Sequence, residues 1–176
     1  NTDNPGCRLS FMELYVLRHG KAEALSSSGG SDADRRLTRQ GRDEVQQIAS
    51  WMLRNRCRFD LIATSPLKRA EETAELVAEI CNLSGRIVLW DELVPGMDFY
   101  CLMARIASCD DLSSLLIIGH EPSLSEYIGR IISRDGSAEI QLKKGGLARI
   151  RQFSPDPVSG SLAWLLIPSH MRGRQD

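Results

Sequence analysis

Histidine is scarce in this chain, three among 176 residues, and two of the three follow apolar runs directly. His19 lies in Arg18-His19-Gly20, after the run at 13–17, and His120 lies in Gly119-His120-Glu121-Pro122, after the run at 114–118. Between them, residues 60–64 lead through Ser65-Pro66-Leu67-Lys68 to Arg69. If these runs are strands of one open α/β sheet, their polar ends share the edge where such sheets bind ligands. Arg18, His19, Arg69 and His120 then meet at one place. Arginine forks match the oxygens of phosphate or sulfate. Helix starts near Ser65 and at 121–124 add backbone donors, that of Glu121 among them. The cluster suits a tetrahedral dianion. A metal fits less well, because no carboxylate cluster accompanies the histidines.

Each residue also has a plainer role open to it. Arg18 and His19 could be a strand end facing water, and Arg69 a solvated helix residue paired with Glu72 three positions on. His120 could hydrogen-bond nearby backbone, as partly buried histidines do. Glu121 could be an exposed loop carboxylate or a partner for a helix dipole. Lys21, Arg35 and Arg36 either meet an acidic protein or solvate a loop.

The order of elements predicts that the four residues meet. Strands are expected at 13–17, 60–64, 86–89 and 114–118, the last apolar enough to be buried on both faces. Thr38 is placed to cap a helix reaching Arg54, with Val45, Ile48, Ala49, Met52 and Leu53 on its apolar side. Ser65 and Pro66 read as the cap and first residue of a second helix, whose buried stripe is Ala70, Thr73, Ala74, Val77 and Cys81. A short helix at 99–107 and another after Pro122, with Leu124, Ile128, Ile131 and Ile132 inward, complete the α set. The end of the chain predicts strands near 139–142, 147–153 and 162–167, with 154–160 as turn. Strands alternating with helices, then a strand-rich end, point to a three-layer α/β/α sandwich with a mostly parallel central sheet.

The remaining composition narrows the setting. Hydrophobic residues at 42% and charged residues at 26% fit a single globular domain over 12–168. A net charge of −1 argues against nucleic acid or an anionic membrane as partner. No apolar run approaches the ~20 residues of a membrane span. Five cysteines, Cys7, Cys57, Cys81, Cys101 and Cys109, show no C-x-x-C pair and suggest a reducing cytoplasmic location. They read as small buried hydrophobes, with Cys7 and Cys57 exposed, and Met52, Met97 and Met103 read as core filling. Residues 26–31, only serine and glycine, predict a flexible loop. Residues 1–11 are set aside as a disordered or non-native extension, and 169–176 as a polar tail in which His170 is inert.

Leu17-Arg18-His19-Gly20 resembles the signature of the histidine phosphatase superfamily. Leu37-Thr38-Arg39-Gln40-Gly41 resembles that family's L-T-x-x-G, residues 65–74 its S-P-x-x-R-A-x-x-T-A, and Gly119-His120 its late G-H or S-H element. R-H-G alone recurs by chance, but four elements in order and in matching contexts are specific. The short length, the run 91–96 and the lack of larger cap insertions are most similar to the SixA-type phosphohistidine phosphatase branch.

The resemblance implies a phosphoglycerate mutase-like fold and a covalent phosphohistidine on His19. Its attacking nitrogen is neutral, and its other nitrogen is held by a backbone carbonyl. Arg18, Arg69 and His120 hold the nonbridging oxygens. No cofactor is called for. Activity should then fall as pH drops through the His19 pKa, ~6.5 for an unperturbed histidine. Family members that act on esters use a carboxylate acid, usually after the third strand. The matching position here falls near Pro95, between Glu92 and Asp98, and Glu121 is a third possible acid or base.

A weak acid suffices for phosphohistidine, whose imidazole leaves readily. The expected substrate is therefore a phosphorylated protein, such as a histidine phosphotransfer domain. A small-molecule phosphomonoesterase is the alternative enzyme, and a phosphate-binding adaptor without turnover the alternative of another class.

Overall fold

The computed structural model of the chain describes residues 11–25, 30–109, 111–133 and 135–170. Along it run β1 (Met12–Arg18), α1 (Arg39–Arg54), β2 (Leu61–Thr64), α2 (Lys68–Ile80), β3 (Ile87–Leu89), α3 (Phe99–Ala107), β4 (Ser114–Gly119), α4 (Ser123–Ile132), β5 (Leu147–Pro155) and β6 (Val158–Leu166). Short 3-10 turns lie at Asp32–Asp34, Asp91–Leu93 and Pro168–His170. The described strands form one sheet in the order β3-β2-β4-β1-β5-β6. β1 to β4 pair in parallel, and β5 and β6 add an antiparallel side. The outcome is the mostly parallel sheet that the alternation of elements predicts.

Side-chain alternation sorts the core into two layers. Leu14 and Val16 of β1 and Leu115 and Ile117 of β4 pack with Leu102 and Ile106 of α3 and Leu124 and Ile128 of α4. Tyr15, Leu17, Leu116 and Ile118 point the other way, toward Val45, Ile48 and Met52 of α1 and Ala70, Ala74 and Val77 of α2. Every residue of β4 is buried, as an apolar run covered on both faces requires. Thr38 caps α1 as expected, its hydroxyl oxygen accepting from the Gly41 amide at 3.0 Å.

Several expectations need correction. The helix after β2 starts at Lys68, with Leu67 in the cap position, instead of at Ser65-Pro66. Ser65 closes a tighter turn, accepting from the Leu67 amide two residues on. No strand forms at 139–142. β1 is already paired on both sides, by β4 and β5. The segment's buried Leu142 takes side-chain partners instead, its amide donating to Ser125 Oγ at 3.0 Å. The turn expected over 154–160 shrinks to Asp156 and Pro157, because Ser154↔Ser159 and Pro155↔Val158 continue the ladder.

Leu53 lies one step past the α1 stripe and is 48% exposed, and Met97 is also exposed. Cys57, Cys81 and Cys109 are half-buried and Cys101 is exposed, so the cysteines fill edges, not the core. Cys7, residues 26–29 of the Ser/Gly stretch and residues 171–176 of the tail lie outside the described residues. No described helix is long and apolar enough to cross a membrane.

Candidate active site

Parallel register sets the carboxyl ends of three strands level. Arg18 pairs across from Gly119, and Thr64 from Ile118. One residue further, the His19 amide donates to the Gly119 carbonyl at 3.1 Å and the Ser65 amide to the Ile118 carbonyl at 3.0 Å. The His19 and His120 rings leave the sheet side by side, with centroids 4.9 Å apart, and both are buried.

Glycines permit the close packing behind His19. A Cβ on Gly20 would stand 2.7 Å from Val45 Cγ2 and 2.9 Å from the Gly41 carbonyl. One on Gly41 would stand 2.1 Å from the Lys21 carbonyl, so the first turn of α1 presses directly on the chain that follows the histidine. Thr73 ties α2 to the same loop. Its hydroxyl donates to the Arg69 carbonyl at 2.7 Å, and its oxygen accepts from the Gly20 amide at 3.2 Å.

The hydrogen bonding of His19 fixes its tautomer. Nδ1 lies 2.7 Å from the Gly20 carbonyl oxygen, which can only accept, so Nδ1 carries the proton and Nε2 presents a lone pair. Burial lowers the pKa to about 4, helped by the charges of Arg69, Arg18 and Lys144 and opposed by the Gly20 hydrogen bond. At neutral pH the ring is uncharged.

His120 is treated similarly. Burial first, then the charges of His19, Arg69 and Arg18, lower its pKa to about 3, against the opposing charge of Asp32. Its Nε2 is 2.9 Å from Ser65 Oγ. The Ser65 hydroxyl can donate to Nε2 while accepting from the Leu67 amide, and in that tautomer Nδ1 of His120 holds the ring proton as a donor.

Both arginines are anchored through their ends. Arg18 Nη1 donates to the Leu142 carbonyl at 2.9 Å. Arg69 donates from Nη1 to the Asp32 carbonyl at 2.8 Å and from Nη2 to Asp32 Oδ2 at 3.0 Å. The Nε atoms of both arginines and Nδ1 of His120 are buried without a hydrogen-bond partner among the described residues. A buried donor left unpaired costs ~1–3 kcal/mol, so these three together are an arrangement that an anion's oxygens would relieve.

Arg18, His19, Arg69 and His120 are thus brought together, and the plainer pairing of Arg69 with Glu72 does not form. Glu72 is 3% exposed and turns instead to the Leu37 amide, Arg36 and Arg42. Arg35 pairs with Asp32, and Lys21 donates to Gln40.

Of the three candidate acids, Asp98 is exposed and caps α3, accepting from the amides of Tyr100 and Cys101. Glu92 is half-buried in the 3-10 turn after β3. Glu121 lies nearest in sequence to His120. Its Oε1 is buried and unpartnered among the described residues, and burial raises its pKa, against a Ser125 hydrogen bond and the Arg18 charge. The described residues contain no group of three or more metal-ligating side chains.

Sequence reasoning passed over Ser65 as a histidine partner, Thr73 as a brace, Leu142 as an anchor and Asp32 altogether. A lone threonine in an otherwise apolar helix stripe was the signal available for Thr73. Asp32 offers no local signal, since its partner lies 37 residues away.

Comparison with known proteins adds to this geometry. The family model for the histidine phosphatase superfamily (branch 1) matches residues 14–94. Phosphohistidine phosphatase SixA of Escherichia coli strain K12 is 30% identical over 163 residues, which is 92% of this chain and 97% of that protein. An uncharacterised protein of a Picosynechococcus strain is 32% identical over 143 residues, covering 80% of this chain and 85% of its own. A solved structure of the protein histidine phosphatase SixA complexed with tungstate superposes with a TM-score of 0.82. It covers 92% of this chain and 100% of that one at 24% identity, a likeness of fold.

Proposed function

The chain belongs to the histidine phosphatase superfamily, and from that premise we propose that it removes phosphate from phosphohistidine in a protein, through a covalent intermediate on His19. The observation that carries the proposal is the Nδ1–H bond from His19 to the Gly20 carbonyl at 2.7 Å, which leaves Nε2 as a neutral nucleophile beside buried, unpaired cationic donors. The Nε2 lone pair attacks phosphorus in line while the bond from phosphorus to the substrate's imidazole breaks. When the other nitrogen of that imidazole is protonated, it departs as neutral imidazole. His19 becomes phosphorylated on Nε2 and passes the phosphoryl group to water, regenerating the neutral ring.

Arg18, Arg69 and His120 take the nonbridging oxygens in both steps, where charge-assisted bonds stabilise the transferring group. A phosphorylated histidine phosphotransfer domain, with an imidazole that leaves without strong acid, is the substrate class this arrangement suits. The SixA relative, named as a phosphohistidine phosphatase, supports the same assignment.

A phosphomonoesterase is favoured by one observation, the Glu121 carboxyl held toward its protonated form beside Arg18. Two measurements separate the possibilities. Turnover of a phosphohistidine protein should exceed that of a sugar phosphate, and equal or faster sugar phosphate hydrolysis would favour the esterase. Rapid quenching with radiolabelled substrate should leave an acid-labile label on the wild type and none on His19→Ala. A wild type that binds the phosphoprotein but never acquires label would be an adaptor.

A further inference from the structure

Asp32 belongs to a surface segment whose base is closed by a bridge between Ala22 and Leu37. It meets Arg69 across that segment in an uneven pair, for the Arg69 side chain is 5% exposed and that of Asp32 is 55% exposed. Both ends of the Arg69 fork are engaged, Nη1 by the Asp32 carbonyl at 2.8 Å and Nη2 by its Oδ2 at 3.0 Å. Asp32 is held in its turn. Its Oδ1 is bound by Arg35 Nε at 2.8 Å, and Ser31 Oγ caps the 3-10 turn by accepting from the Ala33 amide.

Guanidinium has five N–H donors in a fixed plane. Two are spent on Asp32 along the outer edge, while Nε is buried and unpartnered among the described residues. A bidentate grip on a phosphoryl group must therefore use Nε with one remaining Nη hydrogen.

We infer that Asp32 is a positioning residue, which by holding the outer edge of the Arg69 guanidinium turns the Nε edge toward the phosphoryl group. The inference rests on the proposed role of Arg69 in holding that group. A carboxylate competing with phosphate for Arg69 would occupy the edge that carries Nε. Asp32 occupies the Nη1/Nη2 end instead, partly through its main chain, and its second oxygen is committed to Arg35. Its negative charge also reaches the site, opposing the charges of His19, Arg69 and Arg18 on His120.

The test is the affinity of inorganic phosphate, measured by calorimetry and as inhibition of turnover, in Arg69→Ala, Asp32→Ala, Asp32→Asn and the Arg69→Ala/Asp32→Ala double variant. Loss of a charge-assisted grip should weaken phosphate about 30-fold in Arg69→Ala. Asp32→Ala should weaken it about 10-fold, and Asp32→Asn, which keeps an acceptor oxygen, by roughly threefold. The double variant should bind no worse than Arg69→Ala alone, because Asp32 acts through Arg69.

Unchanged or tighter binding in Asp32→Ala, with Arg69→Ala weakened, overturns the positioning role and leaves the proposed function standing. Losses that multiply in the double variant also overturn it. Unchanged binding in Arg69→Ala removes the role of Arg69 and the inference with it. Asp32→Asn decides the same question if Asp32→Ala does not fold.

Discussion

On the histidine side of the site, main chain does the positioning. His19 is fixed by its amide bond to Gly119, by the Gly145 amide donating to its carbonyl at 3.2 Å, and by glycines that admit α1 directly behind it. On the arginine side, the buried Arg69 fork is held by a single half-exposed loop residue, Asp32, through its carbonyl and one carboxylate oxygen. Strand register holds His19 to within the tolerance of a hydrogen-bonded sheet, and a change there disturbs the core. The Arg69 fork is held by an ion pair that touches solvent, and on the proposed reading a change there alters chemistry while the fold stands. The difference teaches that stability and activity are coupled in one half of the site and separable in the other.

Among the residues around His19, the largest effect should come from His120→Ala, which removes a proposed donor to the transferring oxygens. It should lower kcat on a phosphohistidine protein by about 100- to 1,000-fold, as loss of a preorganised donor does elsewhere. Thr73→Val tests the coupled half. It strips the acceptor from the buried Gly20 amide and should cost ~1–3 kcal/mol in urea unfolding, with a parallel loss of turnover. Arg69→Ala tests the other half. Its unfolding free energy should stay within about 1 kcal/mol of wild type, because the ion pair it breaks is open to solvent on the Asp32 side. A stability loss as large as that of Thr73→Val would erase the distinction.

The remaining test is of pH. The unfolded chain protonates its histidines near ~6.5, while the native state resists until about 4 for His19 and about 3 for His120. The unfolded state therefore binds more protons in that interval, and stability is lost as pH falls below the unfolded value. By about pH 5 the loss is roughly 2 kcal/mol for each histidine. Turnover of the surviving native protein should stay flat from neutrality until His19 itself titrates near 4. A rate that fell near the ordinary histidine value, as the sequence expectation had it, would mean that the His19 ring is more solvated than its burial implies.

The strand ends that carry His19 and His120, and the three-layer order, were legible because apolar period and turn chemistry are local properties. Arg69 was legible through its spacing from Ser65. Other features depended on distant chain. Residues 139–142 have strand-like character, but whether they pair depends on which strand is open beside them, and the side of β1 away from β4 goes to β5. Ser65 reads locally as a helix cap, and its bond to His120, 55 residues away, exists only once β2 and β4 lie in register. A cluster of cations lowers both histidine pKa values, as the residue types suggest, but the extent was beyond reach for the same reason, since burial is the leading cause and burial belongs to the whole fold.

The bridge between Ala22 and Leu37, with the Glu23 amide bonded to the Arg36 carbonyl at 2.9 Å, fastens the neck of the intervening segment. Because the neck is fixed, doubling the length of chain above it costs only ~0.6 kcal/mol in closure entropy. Residues could be inserted between Leu25 and Gly30 without moving His19 or the Asp32–Arg69 pair. The neck thus separates the length of chain between its two ends from the placement of the residues that carry the proposed chemistry.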